Sequence, residues 1–459
     1  MNPAPLMISV AGVRGIVGET LTPPVLARFA AAFAAGLGAG PVVVGCDARR
    51  SGPVVYQAVA AGLRGAGRDV VDLGFATTPA TQCAVETLRA AGGIILTASH
   101  NPADWNALKF LSARGEFLDA PTGAAVRARY ESGADAWVRF DRLGSERRET
   151  GADDWHIARV LGYDVLDLAR IRKRALKVVV DGCASVGGIT VPRLLRELGA
   201  TVVELDCVPD GNFTRELEPL PEHLGRLCAQ VRESGADYGV ALDPDSDRAA
   251  FVDAAGVPLG EEYTVVLGTR VVLERHPGPV VTNLSTSRML DAVCLEAGVP
   301  LHRTPVGEAH VVNRMREVGA VAGGEGNGGM IVPAVHYGRD GLVAVALVSQ
   351  AMAASSRTLR ELADRLPHFV MVKAKAARSD EPWERAAARL RQAFPDHDAE
   401  TTDGLRLSRG DAWVHVRPSG TEPIVRVIAE SPDDSGTRAM IERAGAALMA
   451  GSSSNGGTI

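Results

Sequence analysis

Between residues 40 and 333 the sequence keeps returning to one pattern: a short, almost wholly apolar run, a stretch with helical spacing, then another apolar run. "GPVVVGCD" (40–47) leads to "VVYQAVAAGLRGAG" (54–67), then "DVVDLGFATTPA" (69–80), a helix near 81–91, and "GGIILTAS" (92–99). Runs this apolar belong in strands covered on both faces, and the interposed helices supply the cover. A second pass goes from "ALKVVVDGCASVGG" (175–188) through a helix near 190–198, "TVVELD" (201–206) and a helix near 221–234 to "YGVALDPDSDR" (238–248). A third, from about residue 262, holds "VVLGTRVVLERH", "GPVVTNLSTSRMLDAVCLEAG" and the strand-like "GAVAGGEGNGGMIVP" (319–333). After about residue 368 the pattern changes: short strands such as "DAWVHVRPS" and "IVRVIAE" precede a final helix near 434–449.

The chain's 459 residues are too many for one core, since domains hold ~100–150 residues each. The reading predicts three related mixed-sheet α/β domains over 1–153, 154–256 and 257–368, and a smaller α+β domain over 369–450. A flexible polar tail, "GSSSNGGTI" (451–459), follows. Ligands of α/β folds bind outside the carboxyl ends of strands. Loops from all four domains are therefore expected to converge on a central cleft.

The sharpest loop is "DPDSDR" (243–248), delivered straight from the apolar "YGVAL". Three alternating carboxylates, Asp243, Asp245 and Asp247, repel one another unless a cation or several donors neutralise them. Hard oxygens at this density suit Mg²⁺. An EF-hand is excluded, because Arg248 stands where glycine belongs and Ala254 where glutamate belongs. The alternative is a solvated acidic turn. A phosphatase of the haloacid-dehalogenase type is a weaker match, because Asp247 stands where those enzymes carry Thr or Val.

"TASHNP" (97–102) ends an apolar strand in Ser99, His100 and Asn101, ten residues before Lys109, the first lysine. No G-x-S-x-G elbow surrounds Ser99, and neighbours on an extended chain point to opposite sides, so His100 is a poor base for it. A serine can instead carry a phosphoryl group if a cation meets its oxygens and a base meets the incoming hydroxyl. Lys109 could be that base if neighbouring arginines lower its pKa. The plain alternative is a capping turn.

"RPSGTEP" (417–423) offers Arg417, Ser419, Gly420 and Thr421, with Arg426 close by, a set that fits a phosphate or an ordinary turn. "GGEGNGG" (323–329) places Glu325 and Asn327 among five glycines, where a carboxylate and an amide can bridge sugar hydroxyls; a flexible hairpin is the alternative. Arg14, in "AGVRGIVG", and Arg49, in "GCDARRSGP" beside Asp47, read one at a time as surface ion pairs. Phosphate binding, or support of the loop at 97–102, is the other possibility for each. No lysine follows a glycine, which excludes a nucleotide-binding P-loop.

A net charge of −6 argues against a nucleic-acid partner. No apolar run reaches the ~18 residues of a membrane span, and "MNPAPLMISVAGVRG" lacks a charged n-region, so a cytoplasmic protein is expected. Cysteines at 46, 83, 183, 207, 228 and 294 form no C-x-x-C, so neither a zinc site nor a disulfide framework is expected.

Together and in this order, "TASHNP", "DPDSDR", "GGEGNGG" and "RPSGTEP" resemble the phosphoserine, metal, sugar and phosphate loops of the α-D-phosphohexomutase family, over about residues 1–445. The resemblance implies interconversion of hexose 6-phosphate and hexose 1-phosphate through a hexose 1,6-bisphosphate that turns over within the cleft. It implies a phosphorylated Ser99 and Mg²⁺ held by Ser99, Asp243, Asp245 and Asp247. Arg248 would face the reacting phosphate, Lys109 would be the general acid/base, and His100 would shape the loop or assist. Glu325 and Asn327 would read the sugar. Arg14 would bind substrate, while Arg417, Ser419, Gly420, Thr421 and Arg426 would hold the other phosphate. "ISVAGVRGIVGETLTP" is most similar to an archaeal-type branch assigned to glucosamine phosphates, with mannose and glucose phosphates as alternatives. Gly329 replaces a histidine that many relatives carry. A metal-dependent sugar phosphatase and a non-catalytic sugar-phosphate binder remain as other classes. Monomer and dimer are both compatible with the sequence.

Overall fold

The computed structural model describes residues 6–9, 12–133, 136–379, 381–419 and 424–450. Three of its four sheets share one four-stranded core. In the first block the strands Val42–Cys46, Val70–Phe75, Gly92–Leu96 and Trp105–Leu111 lie in spatial order fourth, third, first, second. The first three run parallel and the fourth antiparallel. The second block repeats this order with Lys177–Asp181, Thr201–Leu205, Tyr238–Leu242 and Ala249–Asp253. The third repeats it with Val280–Asn283, Leu301–Thr304, Ala322–Glu325 and Gly329–Ile331. The first block alone extends its sheet to seven strands, adding Met7–Ser9, Gly12–Ile16 and Glu146–Arg148.

This repetition explains where the loops fall. In every block the turn between the third and fourth strands leaves the carboxyl end of a parallel strand, and there lie "TASHNP", "DPDSDR" and Gly326-Asn327-Gly328. The expected strand-like run 319–333 is thus two strands of a hairpin, and its loop is the site element. The helix expected near 81–91 spans Thr78–Thr87, because Thr77 caps it by accepting from the Ala80 amide at 3.1 Å and Pro79 fits its first turn.

The second and third blocks share one apolar core, in which Val178, Leu194 and Tyr238 belong to the same cluster as Val265, Val280 and Leu342. Helix Gly341–Ser355 runs through it and is apolar on nearly all sides, as a helix buried all round must be. The first block's sheet separates two cores of its own. The fourth block is a five-stranded antiparallel sheet with helices Trp383–Ala393 and Asp434–Met449 and a separate core. It meets the third block through polar contacts: His415 Nδ1 with Ser285 Oγ at 2.8 Å, the Arg288 amide on Glu430 at 2.9 Å, and Lys373 Nζ on Glu261 at 2.6 Å.

Candidate active site

The Ser99 loop is built from inside. Asp47 accepts from Thr97 Oγ1 at 2.6 Å, and Thr97 Oγ1 accepts from the Ser99 amide at 2.9 Å. Arg49 donates to the carbonyls of Ser99 and Asn101 at 2.6 Å each, to Pro102 at 2.5 Å and to Trp105 at 3.0 Å. At 1 % exposure it is no surface ion pair; it is the clamp that folds this loop. Ser99 itself adopts φ 50°, a left-handed conformation that a serine holds only when its surroundings over-determine it. The chain is therefore not extended at Ser99, and the alternation expected of an extended chain does not apply there. Arg14 Nη1 donates to Asn101 Oδ1 at 3.1 Å, so this half-buried arginine touches the loop as well.

The second block's loop meets it directly. Ser99 Oγ donates to Asp243 Oδ2 at 2.9 Å, across 144 residues of sequence. Asp243, Asp245 and Asp247 are fully buried, and each offers an oxygen within 4.8 Å of the others'. Burial, then Asp247 and Asp245, push the Asp243 carboxyl well above the usual carboxylate range. Burial also opposes the charge of Asp245, yet Lys109 and Thr78 hold its carboxyl below that range. Both donors are close to its Oδ2, Lys109 Nζ at 2.7 Å and Thr78 Oγ1 at 2.6 Å. Lys109 thus contacts the acid cluster, where the sequence pointed to arginine neighbours. Asp245 Oδ1, Asp247 Oδ1 and Ser246 Oγ are buried without a hydrogen-bond partner among the described residues. Orphaned acceptors beside a repelled carboxylate fit a hard divalent cation on oxygen ligands.

Positive charge surrounds the other side of Ser99. Burial, then Arg248, Arg14, Arg426 and Lys109, hold His100 well below its ordinary pKa, so its imidazole is neutral. Four cations around one small volume suit a phosphate. Arg248 Nη1 reaches Glu218 at 3.2 Å, and the Arg248 amide donates to Asp243 Oδ1 at 3.2 Å.

The third block's loop is tied to the second by the Ala249 amide, which donates to the Gly328 carbonyl at 3.0 Å. Gly328 has φ 91°, and a Cβ there would lie 2.7 Å from the Ala249 oxygen, so only glycine fits. Burial works against the charge of Glu325, but Arg339, Asn283 and the Gly307 amide hold its carboxyl low. Asn327 Oδ1 is buried and unpartnered among the described residues. Sequence reasoning missed Arg339, which donates to Glu325 at 3.0 Å, Glu308 at 2.9 Å and Asp247 at 2.5 Å, wiring the sugar loop to the acidic loop. The legible sign was "HYGRDG" (336–341), a glycine-flanked Arg-Asp pair ahead of an apolar helix.

On the fourth block, Arg417 and Arg426 are directly paired across antiparallel strands, and Lys375 pairs with Arg426 on the next strand. Cations in one cross-strand row repel one another and call for an anion. Lys375 is a second residue the sequence reading passed over. Arg417 Nη1 lies 3.8 Å from Asp403, and the Ser419 amide donates to the Ile424 carbonyl at 2.8 Å. Gly420 and Thr421 lie outside the described residues.

Four family models match the chain in order. They are phosphoglucomutase/phosphomannomutase alpha/beta/alpha domain I over residues 7–136, domain II over 156–256, domain III over 260–369, and the C-terminal domain over 371–444. A probable phosphoglucosamine mutase of Methanopyrus kandleri is 36 % identical, with 93 % of this chain and 94 % of the relative covered. A phosphoglucomutase/phosphomannomutase of Thermococcus kodakarensis is also 36 % identical, over 94 % of this chain and 96 % of the relative. Among solved structures, a phosphoglucomutase/phosphomannomutase family protein of Burkholderia thailandensis superposes with TM-score 0.85 at 29 % identity, covering 97 % of each chain.

Proposed function

Because the chain belongs to the phosphoglucomutase/phosphomannomutase family, we propose that this site interconverts hexose 6-phosphate and hexose 1-phosphate, with glucosamine phosphates as the preferred pair. The observation that carries the reading is the contact of Ser99 Oγ with Asp243, 2.9 Å apart within the buried acidic triad. Relatives named "probable phosphoglucosamine mutase" support the choice of sugar.

Ser99 Oγ carries the phosphoryl group. Its P–O bond breaks as a bond forms from phosphorus to the free hydroxyl of the bound sugar monophosphate. Lys109, 2.7 Å from Asp245, is the side chain we assign to take up that hydroxyl's proton in its neutral form, and to return a proton in the reverse direction. Arg248 and Arg14 balance charge on the transferring oxygens, while neutral His100 adds no charge of its own. Ser99, Asp243, Asp245 and Asp247 would hold Mg²⁺, which supplies charge neutralisation at the transferring group when bound. Arg417, Arg426, Ser419, Gly420 and Thr421, joined by Lys375, grip the phosphate that is not reacting. Glu325 and Asn327 face the sugar between them. After one transfer the bisphosphate turns end over end, and its other phosphate goes to Ser99. The polar junction of the fourth block with the third suits the opening this requires.

The test is a coupled assay of the full chain with Mg²⁺ on glucosamine, mannose and glucose monophosphates, alongside intact mass. Isomer formed fastest from glucosamine phosphate, with a protein-bound phosphate that Ser99→Ala lacks, is expected. Inorganic phosphate released without isomer would replace the mutase reading by a phosphatase.

A further inference from the structure

One carboxylate stands beside the cationic row of the fourth block. Asp403 lies in the turn that joins the antiparallel strands Asp398–Glu400 and Leu405–Arg409. A negative side chain next to a grip for phosphate repels the ligand, so its presence needs a reason. The reason lies in what one of its oxygens meets. Asp403 Oδ2 accepts from the Val306 amide of the third block at 2.9 Å, and the same oxygen is 3.8 Å from Arg417 Nη1. Among the described residues Arg417 has no other ion pair, and its Nε is buried without a hydrogen-bond partner. Burial pulls Arg417 below its ordinary pKa, and Asp403 is the strongest of the charges that oppose this.

The turn is held to the third block a second time. His415 Nε2 is 2.6 Å from the Asp403 carbonyl, which can only accept, so Nε2 carries the proton. Burial holds His415 below its ordinary pKa, and the neutral ring leaves Nδ1 to accept from Ser285 Oγ at 2.8 Å. Next to Val306, the Gly307 amide donates to Glu325 Oε1 at 2.9 Å. Two consecutive amides of one turn are thus divided between the acid beside the phosphate grip and the acid of the sugar loop.

We propose that Asp403 is a positioning residue that ties the strength of the phosphate grip to closure of the fourth block, an inference that rests on the mutase reading of the cleft. With the block closed, the Val306 amide takes up part of the charge on Oδ2, and Arg417 turns to the phosphate. As the block swings away the amide leaves, the carboxylate falls back on Arg417, and the grip loosens. The hold is then firm while the sugar is read and slack while the bisphosphate turns. No covalent bond forms or breaks, and no proton moves.

The test compares Asp403→Asn with Asp403→Ala in the full chain. Asparagine keeps an oxygen for the Val306 amide and drops the charge beside Arg417; alanine drops both. Calorimetry with glucosamine 6-phosphate in a Ser99→Ala background, where no transfer takes place, should give a Kd about 3- to 10-fold lower for Asp403→Asn. In chains that keep Ser99, glucosamine 1,6-bisphosphate escaping per turnover is read by mass spectrometry. It should fall in Asp403→Asn, whose grip never slackens, and rise in Asp403→Ala, whose fourth block is no longer tied down. A contact that only supports the fold would move both variants the same way. A Kd that does not fall in Asp403→Asn, or escape that shifts in one direction in both variants, overturns the proposal. A wild-type chain that binds glucosamine 6-phosphate and forms no isomer overturns the mutase reading instead, and the Kd comparison still decides the role of Asp403.

Discussion

The acidic loop and a second buried cluster, of one cysteine and two histidines, are equally deep, and both lie where blocks meet, yet they are assembled in opposite ways. Asp243, Asp245 and Asp247 come from one hexapeptide at a strand's end. They are opposed by an open array of cations that suits a mobile anionic ligand. Cys83, His156 and His336 come from residues up to 253 positions apart, on or beside helices, with the single carboxylate of Asp340 behind both imidazoles. A turn after a parallel strand can put several hard ligands at a cleft, because no helix stands in front of it. Helix flanks packed together can only close a site. The first arrangement suits turnover, and the second suits a fixed joint.

The comparison can be broken most decisively at Ser99. Ser99→Ala should lower kcat by at least about 10³-fold while sugar phosphate still binds, measured by the coupled assay and calorimetry. Normal turnover would remove the acidic loop from the chemistry altogether. Asp245→Asn should lower kcat by about 10²-fold and move the Mg²⁺ titration to higher concentration. An unchanged titration would reject the cation at this loop. Arg417→Ala removes one proposed charge-assisted phosphate grip, so KM should rise by about 10- to 100-fold, more than kcat falls. Cys83→Ser, by contrast, should leave kcat within about twofold at assay temperature, because nothing it touches reaches Ser99.

The smallest effect sharpens the cleft side. Burial, against the pull of Arg339, pushes Glu308 up to about 7 from 4.5. Folding therefore holds its proton more tightly than the unfolded chain does, and this contribution to stability is lost as pH rises through that window. Glu308→Gln should flatten the fall in unfolding free energy between pH 4.5 and 7, read by denaturant titration at several pH values. An unchanged slope would show that Glu308 is ionised throughout.

Much of this was legible in the order of residues. Strand-end loops announce themselves because an apolar run must stop abruptly where polar side chains begin, as "YGVALDPDSDR" does. Arg49 and Arg339 were not legible in the same way. An arginine's partners are carbonyls and carboxylates distant in sequence, and in an arginine-rich chain little local separates a buried clamp from a surface charge: nothing at Arg49, and at Arg339 only the glycine-flanked pair it forms with Asp340.

Local chemistry alone therefore determined the three repeated blocks, the change to a fourth, and the oxygen-rich, glycine-rich and arginine-bearing loops, because each is written in contiguous residues. Only the tertiary structure decided that Ser99 touches Asp243, that Arg339 joins two loops, and that a cysteine and two histidines with no motif spacing share one buried point. Periodicity fixes which face of an element is buried. What that face meets depends on how separate blocks pack, and distance along the chain carries no record of it.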